Sequence, residues 1–558
     1  MSSFSTPQPS IAKASNHRWP NYLWLALAGL LLLFANGHWI VPPFAWLAPL
    51  ALLRFTRHTS RLVPTLLLCW LVLLVTRAVN WYGLMPFPLA AFLASCALNA
   101  TLRTIPYWLD RIVQRRIPGF LSTLMFPLSC VTIEYLTTLA FQSSWGSVAY
   151  TQTDNLPLLQ LASVTGIWGI VFLVYWFGSV VDWCWEHRTQ WREARVGAVI
   201  YCSAFAAVIL FGDVRLLLSP PRSKTVRVAS VTPTDIINAF TPDEITAFQL
   251  YVRRKEISSS QRAAISSKLI AVDDDLFQRT RREAQAGSRI IFWPEGSLIA
   301  LTESEQAGLI ERGKTLAREE GIYLGMTIGL VPEELSRRNE NKAILIASNG
   351  EIVQQYFKTH LVPVLEEPFF VQGDGNIRPV PSPYGRLATV ICYDMDDPRL
   401  LRRAGQAKVD LMFAPTGDWQ EIKSIHARVA RVRAVEEGFS LLRPANHGLS
   451  LAVDYQGRTL AAMDHFLASE RVLVANLPTA SARTVYARIG DLFAWACLIG
   501  AIALLTSACL PGRTRAESDG ERLATVEGAL AELHSASALL ERKSVRGLLW
   551  KVAELELQ

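Results

Sequence analysis

Eight apolar runs decide what this chain can become. A helix crossing a bilayer needs roughly 20 mostly apolar residues. Runs of that kind lie near 21–36, 38–53, 62–78, 85–104, 119–140, 158–181, 196–217 and 488–510. The first two are short, and read as tilted or as a tight hairpin. Averaged over all 558 residues the chain is 51% apolar and 18% charged. That average merges an apolar region with residues 218–486, whose pattern is that of an ordinary soluble domain. The net charge of +7 falls largely in short clusters between apolar runs. It reads as membrane topology and excludes a nucleic-acid stripe, since no aromatic residues interleave a basic patch. The polar opening segment is long, and no small-residue cleavage site follows the first run, so that run is expected to be retained.

The arginines set the expected orientation. Lys13 and Arg18 precede the first run, and the connection around Asn36–His38 carries no cation. Arg54, Arg57 and Arg61 follow the second run, and Arg77 alone follows the third. Arg103, Arg111, Arg115 and Arg116 follow the fourth, none follows the fifth, and Arg188, Arg192 and Arg195 follow the sixth. Rich and poor connections alternate, which places the N-terminus in the cytoplasm. The expected organisation is a cytoplasmic tail (1–20), a seven-helix membrane domain (21–217), a catalytic domain on the far side (218–486), a returning helix (487–510) and a cytoplasmic tail (511–558). In that last tail Leu523, Val526, Leu530 and Leu533 recur at helical spacing and suggest a helix packed on a neighbour or on the membrane surface.

Between 218 and 486, short β-rich runs (225–231, 288–294, 322–330, 342–348, 387–393, 409–415, 439–445, 449–454, 471–477) alternate with helical stretches near 242–286, 303–319, 397–406 and 421–437. Such alternation predicts a layered α/β domain with helices over the sheet faces. The charged segment 232–287 is long enough to be an inserted helical arm. No Gly-rich phosphate loop follows a strand, so no nucleotide cofactor is indicated. Neither a metal-binding H-E-x-x-H nor a G-x-S-x-G elbow is present. His360, His426 and His447 are scattered, and each reads as a hydrogen-bonded structural residue.

Cysteine usage narrows the chemistry. Of Cys69, Cys96, Cys130, Cys184, Cys202, Cys392, Cys497 and Cys509, only Cys392 lies in the soluble region. A solitary cysteine there is either buried and inert or a working thiol. It ends an apolar run just before a helix expected near Asp397, where a helix N-terminus would lower the thiol pKa. Asp396 or Asp397 reads equally as that helix's cap. Glu295 follows the run IIFWP directly, where partial desolvation would raise its pKa and let it take a proton from a thiol. Alone, it reads as well as an ion pair at a sheet edge. Lys358 sits among aromatic and aliphatic residues; it is suited to an oxyanion or to snorkelling at a surface.

Three motifs in this order, Trp293–Glu295, Lys358–Pro363 and Ile391–Tyr393, resemble the nitrilase (carbon–nitrogen hydrolase) superfamily. With the eight apolar runs, Trp145–Asp154 and the arginine-rich stretch 427–448, the chain is similar to the membrane-embedded apolipoprotein N-acyltransferases of that superfamily. The resemblance spans roughly residues 20–510. It implies an α-β-β-α sandwich inserted between the seventh and eighth membrane helices of a bacterial inner-membrane protein, monomeric and without cofactor or metal. It also implies Cys392 as nucleophile, Glu295 as base and Lys358 as oxyanion donor, with Glu366, Tyr393 and Asp394 in support. The implied donor is a membrane phospholipid and the acceptor a diacylglyceryl-apolipoprotein. Four departures bear on the acceptor: Asp394 replaces the usual Glu, Leu365 a glycine, Thr137 an arginine, and residues 416–419 read Thr-Gly-Asp-Trp. Glu134 is an acid inside an apolar run, a functional candidate or a helix–helix hydrogen bond. A membrane-tethered acyltransferase or amidase with another acceptor stays open, as does a scaffold with a relic site.

Overall fold

The computed structural model describes residues 19–218, 224–234 and 240–510; both expected cytoplasmic tails lie almost wholly outside these residues. Among the described residues six helices are long and apolar enough to cross a membrane: Leu62–Trp81, Leu89–Arg116, Phe120–Phe141, Ile167–Glu186, Trp191–Leu218 and Leu492–Cys509. The first two apolar helices, Trp19–Leu33 and Pro42–His58, have 15 and 17 residues, about 22–26 Å at 1.5 Å per residue. They pair as a hairpin whose turn is closed by Asn80, which donates to the Leu33 carbonyl at 2.8 Å and to that of Asn36. The Leu33 carbonyl is one that a helix end leaves free.

Several helices outrun their apolar runs, so Arg54, Arg57, Arg77 and Arg103 lie inside helices rather than in connections. Helical hydrogen bonding does not stop where hydropathy does. The expected run 158–181 is broken: turns at Leu156–Leu159 and Ala162–Thr165 precede the helix proper, which starts after Gly166 at φ +64.

The soluble part lies in chain order between Trp191–Leu218 and Leu492–Cys509. A seven-stranded sheet runs Val472–Pro478, Thr225–Val231, Ile290–Phe292, Tyr323–Leu330, Glu340–Ile346, Ile352–Phe357, with Leu298–Ala300 beside Tyr323–Leu330. A six-stranded sheet runs Thr459–Asp464, Leu449–Val453, Ser440–Arg443, Leu411–Phe413, Gly385–Thr389, Val380–Ser382. Alternate side chains point to opposite faces of a strand. Val228, Ile290 and Phe292 therefore meet Leu411, Phe413 and Leu442 between the sheets, where Phe292 stacks on Phe413 at 4.4 Å. Ala229, Ile291 and Leu324 face outward, under the helices Ser259–Gln285 and Glu303–Glu320. The helices Pro398–Gln406 and Lys423–Glu437 cover the other sheet. The result is an α-β-β-α sandwich.

The charged segment 232–287 is not an inserted arm. Its helix Ser259–Gln285 buries Leu276, Phe277 and Ala284 on the sheet, and Thr280 accepts from the Trp293 indole at 2.9 Å. Only its first part, with Pro242–Val252, builds a satellite core around Tyr251 and Ile265.

The sandwich is seated on one end of the bundle. Arg433, fully buried, donates to Ser144 Oγ and Tyr150 OH, both at 2.6 Å. Trp168 and Tyr486 both donate to Asp491, and Trp419 to the Gly83 carbonyl at 3.2 Å. The opposite end gathers Arg54, Arg57 and Arg111. Arg54 and Arg57 hold Asp182, and Arg57 also holds Asp110, all at 2.7–2.8 Å.

Candidate active site

Each of the three motif residues leaves the end of a strand. Glu295 follows Ile290–Phe292 through a turn pinned by Ser297 Oγ and Thr327 Oγ1 on the Pro294 carbonyl. Lys358 directly follows Ile352–Phe357, its N–H on the Asn341 carbonyl at 3.0 Å. Cys392 comes three residues after Thr389, the last of the strand Gly385–Thr389. The expected strand through 393 stops short because the chain turns sharply there: Cys392 has φ +50, a left-handed conformation that costs a non-glycine residue about 1–2 kcal/mol. Two contacts hold it: the Cys392 N–H on the Pro415 carbonyl at 2.9 Å and the Ile391 N–H on Asp394 Oδ2 at 3.0 Å. A 3-10 turn, Cys392–Asp396, separates the thiol from the helix Pro398–Gln406. Asp397 caps that helix through the Arg399 N–H.

The three side chains converge. Lys358, 1% exposed, donates to Glu295 Oε1 and to Glu366 Oε1, both at 2.8 Å. Glu295 also accepts from Asn341 Nδ2 at 2.7 Å and, on its other oxygen, from the Gly417 N–H at 2.8 Å. The Cys392 thiol faces the Gly417 carbonyl at 3.6 Å. Glu366 is anchored by the Val362 N–H at 2.8 Å. Asn341 and Gly417 were not singled out from sequence as site residues. The only trace of Gly417 was the departure of residues 416–419 from the family pattern, because a backbone contact leaves no residue-type signal.

Electrostatics reverse two expectations. Burial pushes the Cys392 thiol well above its ordinary range, and the Glu295 carboxylate adds to this, outweighing Lys358. Burial would also raise Glu295, but the Lys358 ammonium and the hydrogen bonds from Lys358 and Asn341 hold it below the usual carboxylate range. Glu366, sharing the same ammonium, is raised by burial and by Glu295. The resting pair is therefore a protonated thiol beside an ionised carboxylate, not a preformed thiolate.

Asp394 lies behind the site, fully buried. It accepts from the Ile391 N–H, the His360 N–H at 2.7 Å, the Thr359 N–H at 3.2 Å and the Tyr356 hydroxyl at 3.0 Å. It ties the Lys358 loop to the Cys392 elbow without lining the cavity. Tyr393 does line the cavity. Glu134 accepts from Ser147 and Tyr175 and faces Arg103 at 3.8 Å. The bond from Tyr175, on Ile167–Glu186, is the helix–helix contact expected of it; the bond from Ser147 ties down the 143–153 loop, and Glu134 lines a separate, smaller cavity. The His58–Asp182–Glu186 group is compact enough for a cation, but both Asp182 oxygens are already held by arginines.

A cavity of about 1130 Å³ opens from the triad down to the bundle, larger than most small-molecule pockets. Leu98, Leu102, Phe87 and Phe141 line its membrane end, and Leu361, Val364 and Leu365 its rim. Val364 has φ +68, so the left-handed turn falls on a β-branched residue beside Leu365 rather than on the position of the missing glycine.

Comparison with known proteins agrees with this layout. Residues 262–487 match the carbon–nitrogen hydrolase family, and residues 28–180 match the apolipoprotein N-acyltransferase N-terminal domain. The chain belongs to the apolipoprotein N-acyltransferase family. It is 26% identical to the apolipoprotein N-acyltransferase of Geobacter metallireducens over 86% of this chain and 94% of the relative. It is 28% identical to that of Rhodopseudomonas palustris over 74% of this chain and 78% of the relative. Among solved structures, an amidase from Nesterenkonia sp. aligns at 20% identity with a TM-score of 0.36, covering 49% of this chain and 97% of the amidase.

Proposed function

We propose that this member of the apolipoprotein N-acyltransferase family moves a fatty acyl chain from a membrane phospholipid to the α-amine of an N-terminal diacylglyceryl-cysteine, through a thioester on Cys392. The observation that carries the reading is the contact of Glu295, Lys358 and the Cys392 loop at one end of a cavity whose other end is walled by membrane helices.

The phospholipid ester carbonyl sits against Cys392. As Sγ bonds the carbonyl carbon, the thiol proton passes to Glu295, which is ionised at rest for that task. The oxygen becomes an oxyanion, and the third Lys358 proton, not committed to Glu295 or Glu366, stabilises it. The C–O bond breaks, the lysophospholipid alkoxide takes the proton from Glu295, and the acyl thioester remains. The acceptor amine attacks the thioester, its proton returns through Glu295, and Cys392 is released as the thiol. Two steps replace one difficult exchange. Glu366 holds Lys358 through a second hydrogen bond, and Tyr393 lines the cavity.

Orientation follows from charge. The arginines at the bundle end opposite the sandwich support a cytoplasmic position for that end and a far-side position for the catalytic domain, with eight spans if the two short helices cross. Every proposed catalytic group comes from one chain, so a monomer suffices.

The test is reconstitution of the full chain with phosphatidylethanolamine and a diacylglyceryl-cysteinyl peptide. The expected products are N-acylated peptide and an equimolar amount of lysophospholipid. Lysophospholipid released with free fatty acid and unmodified peptide would overturn the acceptor and favour an amidase-like hydrolase.

A further inference from the structure

The reaction cavity reaches an arginine that the proposed chemistry does not use. Arg77, four residues before the end of Leu62–Trp81, lines both this cavity and a second one of about 90 Å³ inside the bundle. Its guanidinium stacks on Trp81, 3.3 Å from the ring centroid. Among the described residues no carboxylate lies within ion-pair distance of it, and it donates no hydrogen bond. Other bundle arginines are engaged. Arg103 donates to the Gly146 carbonyl at 2.8 Å and faces Glu134, Arg54 and Arg57 share Asp182, and Arg111 donates to the carbonyls of Thr56, Thr59 and Ser60.

An arginine keeps its charge when buried, and its five N–H donors want acceptors. A ring face answers the charge but supplies none of those acceptors. The stack is held from the loop side by Gly146, at φ +84, where a Cβ would meet Arg77 Nη1 at 3.1 Å and the Trp81 ring at 3.2 Å. Two amides, Asn99 and Gln142, line the same cavity, and neither makes a side-chain hydrogen bond within the described residues. The cavity's carboxylates, Glu295, Glu366 and Glu367, belong to the triad and its rim loop. The cavity thus carries a cation and two amides that make no side-chain hydrogen bond among the described residues, and Arg77 and Asn99 line the second cavity together as well.

We propose that Arg77, with Asn99 and Gln142, binds the phosphodiester of the acyl donor. The inference rests on the phospholipid reading and deepens it: the subsite reads the phosphate common to glycerophospholipids rather than the head group. It separates them from neutral glycerides carrying the same esters.

Two arms test it on the full chain in detergent. In the first, single-turnover acylation of Cys392 is followed with phosphatidylglycerol and with diacylglycerol of identical chains. Arg77→Gln raises the half-saturating phosphatidylglycerol concentration at least tenfold and leaves diacylglycerol unchanged, while Arg77→Lys falls between. Equal slowing of both donors, as a mere prop for Trp81 would give, or no change with either, overturns the subsite. In the second, Cys392→Ala protein is assayed for retained phosphatidylglycerol by native mass spectrometry, with and without Arg77→Gln. Retention lost in the double variant supports the subsite; equal retention overturns it, whatever the first arm gives. Added inorganic phosphate distinguishes the sources: displacement at millimolar concentration means that free phosphate binds by itself, and its failure means that the lipid must carry it. Absence of any acyl-enzyme in the unsubstituted protein strikes the acyl-transfer reading, and the retention arm then still decides the subsite.

Discussion

At Cys392 the thiol is buried, 5% exposed, and sits beside an ionised carboxylate. Both effects favour the protonated form, so its reactivity depends on transfer to Glu295 during attack rather than on a standing thiolate. Alkylation by iodoacetamide should therefore be slow at pH 7 and still rising at pH 9; a plateau reached below pH 8 would contradict this. His360 gives a second readout at this scale. Burial opposes its charge, but its hydrogen bonds to Asp394 and Asp397, at 3.2 and 3.3 Å, raise its pKa to about 9. A histidine raised above its unfolded value near 6.5 contributes stability that is complete below that value and lost as pH rises through about 9. The destabilisation on His360→Gln should be largest near pH 6, at most about 3 kcal/mol, and the accompanying drop in Tm should shrink across pH 7–9. A gap that widens over that range would refute the assignment. The sequence marked Glu295, Lys358 and Cys392 as chemistry-bearing residues but misjudged the pKa directions of Glu295 and Cys392. Those directions depend on a shared ammonium and on the turn that moves Cys392 off its strand, and neither leaves a trace in spacing.

At the scale of elements, strands buried on both faces were legible as apolar runs. Ile352–Phe357 and Thr459–Asp464 were not, since their outer residues are exposed and the runs read as mixed. Helix ends were misplaced for the opposite reason: apolar runs mark the membrane-facing length, while the helices continue into arginine-bearing turns. The contact between sandwich and bundle was not legible at all. Arg433, on Lys423–Glu437, is bonded to Glu436, Ser144 and Tyr150, and all four residues are buried. Removing one partner of a buried ion pair costs about 3–5 kcal/mol. Arg433→Ala should lower Tm in detergent well beyond any exposed arginine variant and reduce acyl transfer with it, through the loop that carries Trp145, whose indole donates to Asp396 at 2.7 Å. Unchanged stability would show that the sandwich does not depend on this contact.

Across the whole molecule, the sandwich caps one end of the bundle and the arginine-rich turns gather at the other. That polarity is the basis of the proposed orientation. In intact spheroplasts a membrane-impermeant maleimide should label Glu333→Cys, whose side chain is 58% exposed on the sandwich. It should label Arg188→Cys, at the arginine-rich end, only after permeabilisation. The reverse pattern would invert the topology and remove the outer leaflet as the source of substrate. The same architecture explains why the donor is a lipid: the cavity joins Cys392 to helices exposing Leu67, Val75, Leu210 and Ile499 outward, each 49–66% exposed, as a bilayer-facing surface requires. All of this converges on one covalent intermediate. Incubating the full chain with a phospholipid of defined acyl chains, without acceptor, and measuring its intact mass should give an increase of one acyl group. That adduct should map to Cys392, be removed by neutral hydroxylamine and be absent in Cys392→Ala. An unmodified mass under conditions that release lysophospholipid, or an acyl group on another residue, would contradict the account.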